Sequence, residues 1–225
     1  MKDNMRVESY FASPVWLDYR PEWVDTLNKA GNIHIKNARA KNKDLIKDTK
    51  DFGLIHHSDE LQSDPNFKTL LDYVVDKSWH FLDSQGYNIE NYVPVVTDFW
   101  LQEFSKNGGA HQHTHVHPNS HVSGFYFLKS SAATAQPVFF DPRPSAAMAK
   151  LPVKLNKDIN SSNIQVSHQC NPGALMIFNS YLPHAFTVDK GKESGDHSRD
   201  KMHSYVILII LALILIYFSP LGIGG

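Results

Sequence analysis

The chain reads as a mainly β protein of the α+β kind, a jelly roll with an N-terminal helical layer. Three observations lead there. From residue 93 onward, apolar runs rich in Val, Phe, Tyr and Ile alternate with Gly, Pro, Asn and Ser, recurring about every 8–12 residues as sandwich and barrel strands do. Before residue 86 the clearest periodicity is helical. Between them, His111, His113, His115 and His117 alternate with single residues, a spacing that an extended strand turns to one face.

In chain order, residues 7–20 (VESYFASPVWLDYR) read as a short strand with Pro14 at an edge or turn. Pro21 suits the first position of a helix through EWVDTLNKA. Residues 36–51 are rich in Lys, Asp and Asn and read as a solvated loop or surface helix. The clearest helix covers about 65–84: Ser63 or Asp64 can cap it and Pro65 opens it. Phe67, Leu70, Leu71, Val74, Ser78, Phe81 and Leu82 form its apolar stripe, and Gly86 can stop it. Strands are expected at 93–104, 122–128, 137–141, 164–168, 174–178 and 184–188, with 111–117 extended. Asn107-Gly108-Gly109, Pro118-Asn119-Ser120 and Asn171-Pro172-Gly173 supply turns, and 145–163 is a polar excursion.

Composition sets the bounds. At 225 residues, 42% hydrophobic and 12% aromatic, the chain can bury a sizeable core in one large domain or two small ones. A formal charge of −1 carries no nucleic-acid footprint. Cys170 is the single cysteine, so no internal disulfide or Cys-based zinc site can form. MKDNMRVESYFASP lacks an apolar leader segment, and the expected location is cytoplasmic.

One segment departs from this pattern. Val206–Phe218 (VILIILALILIYF) is an unbroken apolar run. As a helix it would span roughly 20 Å, short of the ~30 Å hydrocarbon core; counted from Tyr205 to Ile223 it nears the lower limit for a span. Three readings stand: an anchor-like helix that brings the chain to a membrane, a buried closing strand or core helix, and an aberrant end such as a frameshift would leave.

The histidines carry the chemistry. Neutral imidazole is the commonest protein metal ligand, and two on one strand reach one ion with little loss of chain entropy. A third ligand must come from elsewhere, and His184, following Leu182-Pro183 at the start of a strand, is the best candidate. Three protein ligands leave open positions, as in the Fe(II) facial triad, with His117 where a carboxylate is usual. The other histidines read more plainly: His111 and His113 as exposed loop residues, His121 as surface or a neighbour of the ligands, His56 and His57 as surface. Asp141 and Arg143 can close a turn through a salt bridge, and Cys170 is a bystander.

The stretches GGAHQHTHVHPNSHVSGFYFLK, VFFDPRP and PGALMIFNSYLPHAFTV resemble the 2-oxoglutarate–Fe(II) oxygenase family known from bacteria and marine phages. That family has an H-x-H-P element, a following S-G-x-Y-Y-type strand, a D-P-R element and a P-G-x-x-x-x-F element ahead of a distal His. The resemblance covers roughly residues 10–190. It implies a double-stranded β-helix, an oxygenase-like domain at 1–203 and an apolar tail at 204–225. It also implies Fe(II) on His115, His117 and His184, 2-oxoglutarate as small-molecule co-substrate, and a substrate in the barrel mouth. A basic residue on the last core strand would bind the distal carboxylate, a task suited to a guanidinium fork. Here the chain departs: after Asp189 it reads KGKESGDHSRDKMHSYV, and Arg199 or Lys201 is the candidate. Of Phe125 and Tyr126, adjacent on one strand, Tyr126 is the candidate to touch the cofactor. Two other readings stand beside this one. Gly109, His115, His117 and His121 resemble the first cupin metal motif, which predicts a metal enzyme that does not use 2-oxoglutarate. A non-catalytic remnant predicts neither metal binding nor turnover.

Overall fold

The computed structural model describes residues 6, 8–46, 50–131, 133–148, 151, 159–191 and 207–217. These form strands β1 (Val15–Tyr19), β2 (Ile55–His57), β3 (Tyr92–Phe104), β4 (Gln112–His115), β5 (Val122–Lys129) and β6 (Pro137–Phe140). Strands β7 (Gln165–Ser167), β8 (Ala174–Asn179), β9 (His184–Phe186) and β10 (Ile207–Tyr217) follow, with helices α1 (Val24–Lys41) and α2 (Lys68–Ser84) in the N-terminal part. Among the described residues, one sheet has the order β1-β8-β5-β10-β3-β2 and the other β4-β9-β6-β7. Every pairing among the described strands is antiparallel, as in a jelly roll.

The helical layer covers the outer face of the larger sheet. The α2 stripe reads as its sequence predicts, with Leu70, Val74, Ser78, Phe81 and Leu82 buried. Asp64 is the capping residue: its carboxylate accepts from the Asn66 amide at 2.9 Å, and its other oxygen meets His34 Nε2 of α1 at 2.9 Å. Helix α1 runs further than the sequence suggests. Residues 36–41, which read as solvated, continue it, because Leu27, Gly31, Ile35 and Ala38 keep one narrow stripe buried while Lys and Asn occupy the rest. Gly31 sets how closely α1 approaches: a Cβ there would lie 2.9 Å from Leu101 Cδ1 of β3. The short strand β2, unseen in the sequence, pairs with the end of β3. Its His56 is fully buried, not surface; Asn42 bonds its Nδ1 at 3.0 Å.

Two cores result. Phe99, Leu101, Val122, Tyr126, Leu175 and Ile177 face the helices, joined by Phe67, Leu70 and Phe81. Phe104, Phe125, Phe127, Phe139, Phe178 and Phe186 fill the space between the sheets. The odd and even residues of β3 and β5 thus part to opposite faces, as the pleat requires.

The apolar run is a strand, not an anchor helix. β10 lies inside the larger sheet, antiparallel to β3 over Ile207–Tyr217 and to β5 over Ile207–Leu213. A strand between two covered faces reads as a continuous apolar run, which is why its sequence shows no alternation. Among the described residues, no helix is long and apolar enough to cross a membrane.

Candidate metal centre

Two strands of the smaller sheet build the centre. His115 ends β4, His184 begins β9, and the two are direct partners in the antiparallel pair. Residues 67 or more positions apart in sequence are thereby set side by side. His117 lies just past β4, where its amide donates to the Ser180 carbonyl at 3.0 Å. Ring centroids are 4.4 Å apart for His115 and His184, and 5.1 Å for His117 and His184. One ligand atom from each of the three lies within 4.8 Å of the others.

The hydrogen bonds fix which nitrogens are free. His184 Nδ1 contacts the Leu182 carbonyl at 2.9 Å and His115 Nδ1 the His113 carbonyl at 2.7 Å. A carbonyl only accepts, so each Nδ1 carries the proton and each Nε2 of the neutral ring keeps its lone pair. Metal-binding histidines are commonly oriented in this way. His117 Nε2 faces His184 Nε2 at 3.3 Å; that gap is satisfied by one shared proton or by a cation. Two nitrogens about 2.1 Å from one ion, at an angle near 100°, stand about 3.2 Å apart. The donor set therefore fits a divalent transition metal.

Electrostatics favour the same state. Burial pushes the His184 imidazole down to about 3, with the nearby His115 and His117 rings adding to the fall. His117 is also lowered, first by burial and then by His115, while the Asp98 carboxylate opposes the shift. Both rings are neutral at physiological pH, as ligands must be. Phe178, Phe125 and Phe139 surround His184 with ring centroids at 4.9, 5.5 and 6.2 Å, so one side of the centre is dry.

The structure brings together His115, His117 and His184, but it does not line up four imidazoles. The register of β4 shifts between Gln112 and His115, and such an irregularity re-aims the side chains beyond it. His111 and His113 are exposed and pack on each other at 4.7 Å. His121 is exposed, and its backbone joins Leu213 and Ser180. Asp141 and Arg143 form the expected turn, with Arg143 Nη2 at 2.7 Å from Asp141 Oδ2. Tyr126 is a correction. It lies on the helix-facing side of β5, and its hydroxyl donates to the Arg20 carbonyl at 2.6 Å; its neighbour Phe125 faces the histidines. Arg199 and Lys201 lie outside the described residues. The sequence analysis did not single out Asp98, whose carboxylate acts on His117 from β3.

Residues 98–195 match the family described as "Putative 2OG-Fe(II) oxygenase". The matched segment holds all three histidines of the cluster. The likeness in fold to solved structures extends beyond that segment. A prolyl-4-hydroxylase from Pseudomonas putida aligns at TM-score 0.51 with 10% identity, over 90% of this chain and 93% of that one. AviO1 from Streptomyces viridochromogenes aligns at 0.55 with 14% identity, over 95% and 93%. A prolyl hydroxylase from Trichoplax adhaerens, in complex with a hypoxia-inducible-factor peptide, aligns at 0.53 with 13% identity, over 90% and 84%. At these identities the likeness is one of fold. No curated protein matches the chain in sequence.

Proposed function

We propose that the chain uses His115, His117 and His184 to hold one Fe(II) and hydroxylates a substrate at the expense of 2-oxoglutarate and O2. The observation that carries this reading is the cross-strand pairing of His115 with His184 and the 3.3 Å approach of His117 Nε2 to His184 Nε2. Bound iron with its co-substrate would supply the redox chemistry, in which 2-oxoglutarate and O2 give succinate, CO2 and a hydroxylated carbon. The protein supplies the rest. Leu182 and His113 hold two imidazoles in the ligating tautomer, and Ser180 fixes the backbone of the third. The phenylalanine wall keeps water from one side of the ion. Similar folds described as prolyl hydroxylases support hydroxylation as the outcome. The buried thiol of Cys170, raised to about 12 by burial, stays protonated and takes no part in the chemistry.

The test is anaerobic Fe(II) binding by the full chain, followed by a succinate-release assay in air. One equivalent of iron and 2-oxoglutarate-dependent succinate are expected, and His115→Ala or His184→Ala should abolish both. Stoichiometric iron in either variant contradicts the ligand assignment. Iron binding without any succinate favours the cupin-like alternative.

A further inference from the structure

The inner face of β3 carries Asp98, Trp100, Gln102 and Phe104 in alternation. Trp100 packs against the core between the sheets and Phe104 belongs to it, while Phe99 and Leu101 face the helices. Gln102 therefore points into the barrel, and a contact across the barrel agrees: Gln112 Nε2 of β4 donates to Gln102 Oε1 at 3.0 Å. That bond occupies the oxygen and leaves the Gln102 amide nitrogen pointing elsewhere. Gln102 is 0% exposed. Its Nε2 and the indole Nε1 of Trp100 are buried and have no hydrogen-bond partner among the described residues. Buried donors without acceptors are costly and rare in native interiors. Two of them, two residues apart on one face, call for an acceptor that arrives from outside the chain.

Their depth says which acceptor. Asp98 shares a row of the larger sheet with Ala212 and Ser123, and the Ser123 hydroxyl meets that of Ser180, whose carbonyl holds the His117 amide; Gln102 lies beside Gln112. Along β3, then, the residues pass from the level of the metal ligands to a level deeper in the barrel. From Gln112 to His115 is three residues of β4, at most about 10 Å at ~3.3 Å each. This is the depth at which the far end of a five-carbon dicarboxylate would arrive when its 2-oxo acid end is at the histidines. Strand β10 (ILIILALILIY) has no hydrogen-bonding side chain before Tyr217, so the described part of that strand offers no basic anchor.

We propose that Trp100 Nε1–H and Gln102 Nε2–H2 receive the distal carboxylate of 2-oxoglutarate, as a neutral donor pair on β3. This assignment rests on the oxygenase reading above. Amide and indole donors bind a carboxylate through charge-assisted hydrogen bonds. Gln112 is the positioning residue that keeps the Gln102 amide turned inward.

The experiment is anaerobic calorimetry on the full, Fe(II)-loaded chain. The titrants are 2-oxoglutarate and 2-oxobutyrate, which lacks the distal carboxylate; the variants are Gln102→Met and Trp100→Phe. Iron affinity is measured separately by dialysis. Gln102→Met should weaken 2-oxoglutarate about tenfold or more, on the usual strength of a charge-assisted bond. Iron and 2-oxobutyrate affinity should stay as in the wild type. Gln102→Met removes the unpartnered amide nitrogen together with the bond from Gln112, two opposed effects, so the melting temperature without ligands should change little. A Gln102 that served only the fold would lower that temperature and shift both titrants together, which refutes the assignment. Unchanged 2-oxoglutarate affinity in both variants refutes it too. A wild-type chain that takes up no iron refutes instead the reading on which it rests.

Discussion

The three imidazoles illustrate how a backbone bond decides a side chain's chemistry. The carbonyls of His113 and Leu182 each take a ring proton, and the nitrogens they leave bare face a common point. The metal-free protein should record the strain of this arrangement in its pH dependence. His184 is held down to about 3 from 6.5, and His117 is lowered as well. Below the ordinary histidine value the unfolded chain therefore binds more protons than the folded one. Stability should be full above about pH 6.5 and fall steadily as the pH drops towards 3. Melting temperatures measured across that range in chelator check this, and His184→Phe should flatten the profile; an unchanged slope would leave the depressed ring without support. Excess Fe(II) should raise the melting point, since an ion at a hundred times its Kd contributes about 2.7 kcal/mol. At this scale the sequence was only partly legible. The H-x-H spacing pointed to His115 and His117, and the strand start pointed to His184. The irregularity in β4 that excludes His111 and His113 leaves no trace in an alternating pattern. Nor could alternation say which of Phe125 and Tyr126 faced the ligands, because a one-residue choice of face depends on the whole sheet.

At the scale of elements, helix–sheet contact and the last strand carry the fold. Gly31 allows α1 to settle on Leu101, so Gly31→Val should overpack that contact and cost about 1–3 kcal/mol. Chemical denaturation would measure it, and a neutral result would mean that α1 can ride higher on the sheet. Leu213 is buried at 0% exposure in the helix-facing core. Leu213→Ala should therefore cost about 2–5 kcal/mol, whereas a residue in a detached apolar tail would tolerate the change. The helix α2 was readable almost residue by residue because its stripe, cap and stop agree. Strand β10 was not, because both faces of the central sheet position are covered. An apolar run without period fits a strand, a core helix or a membrane segment equally well; its pairing with β3 and β5 decides among them.

For the whole molecule, the larger sheet ties its two ends together around the centre. β10 separates β3, which carries Trp100 and Gln102, from β5, which carries Phe125. The Leu213 carbonyl also accepts from the His121 amide at 2.9 Å, in the loop that follows the ligands. A chain ending at residue 203 should then lose cooperative unfolding and iron binding together. Near-ultraviolet circular dichroism and dialysis would report both; native-like signals in the shortened chain would show the sheet complete without β10. The jelly-roll class was legible from strand spacing, since each short run and its turn are local. The order of strands was not, because the partners of β10 and β9 are set by contacts distant in sequence.

The most direct measurement is X-ray absorption fine structure at the iron edge of the Fe(II)-loaded chain, compared with His117→Ala. Three imidazoles bound about 2.1 Å from the ion are expected in the wild type, and two in the variant once excess Fe(II) has forced it to load. The same imidazole count in both proteins, or an ion bound by oxygen alone, would contradict the ligand assignment.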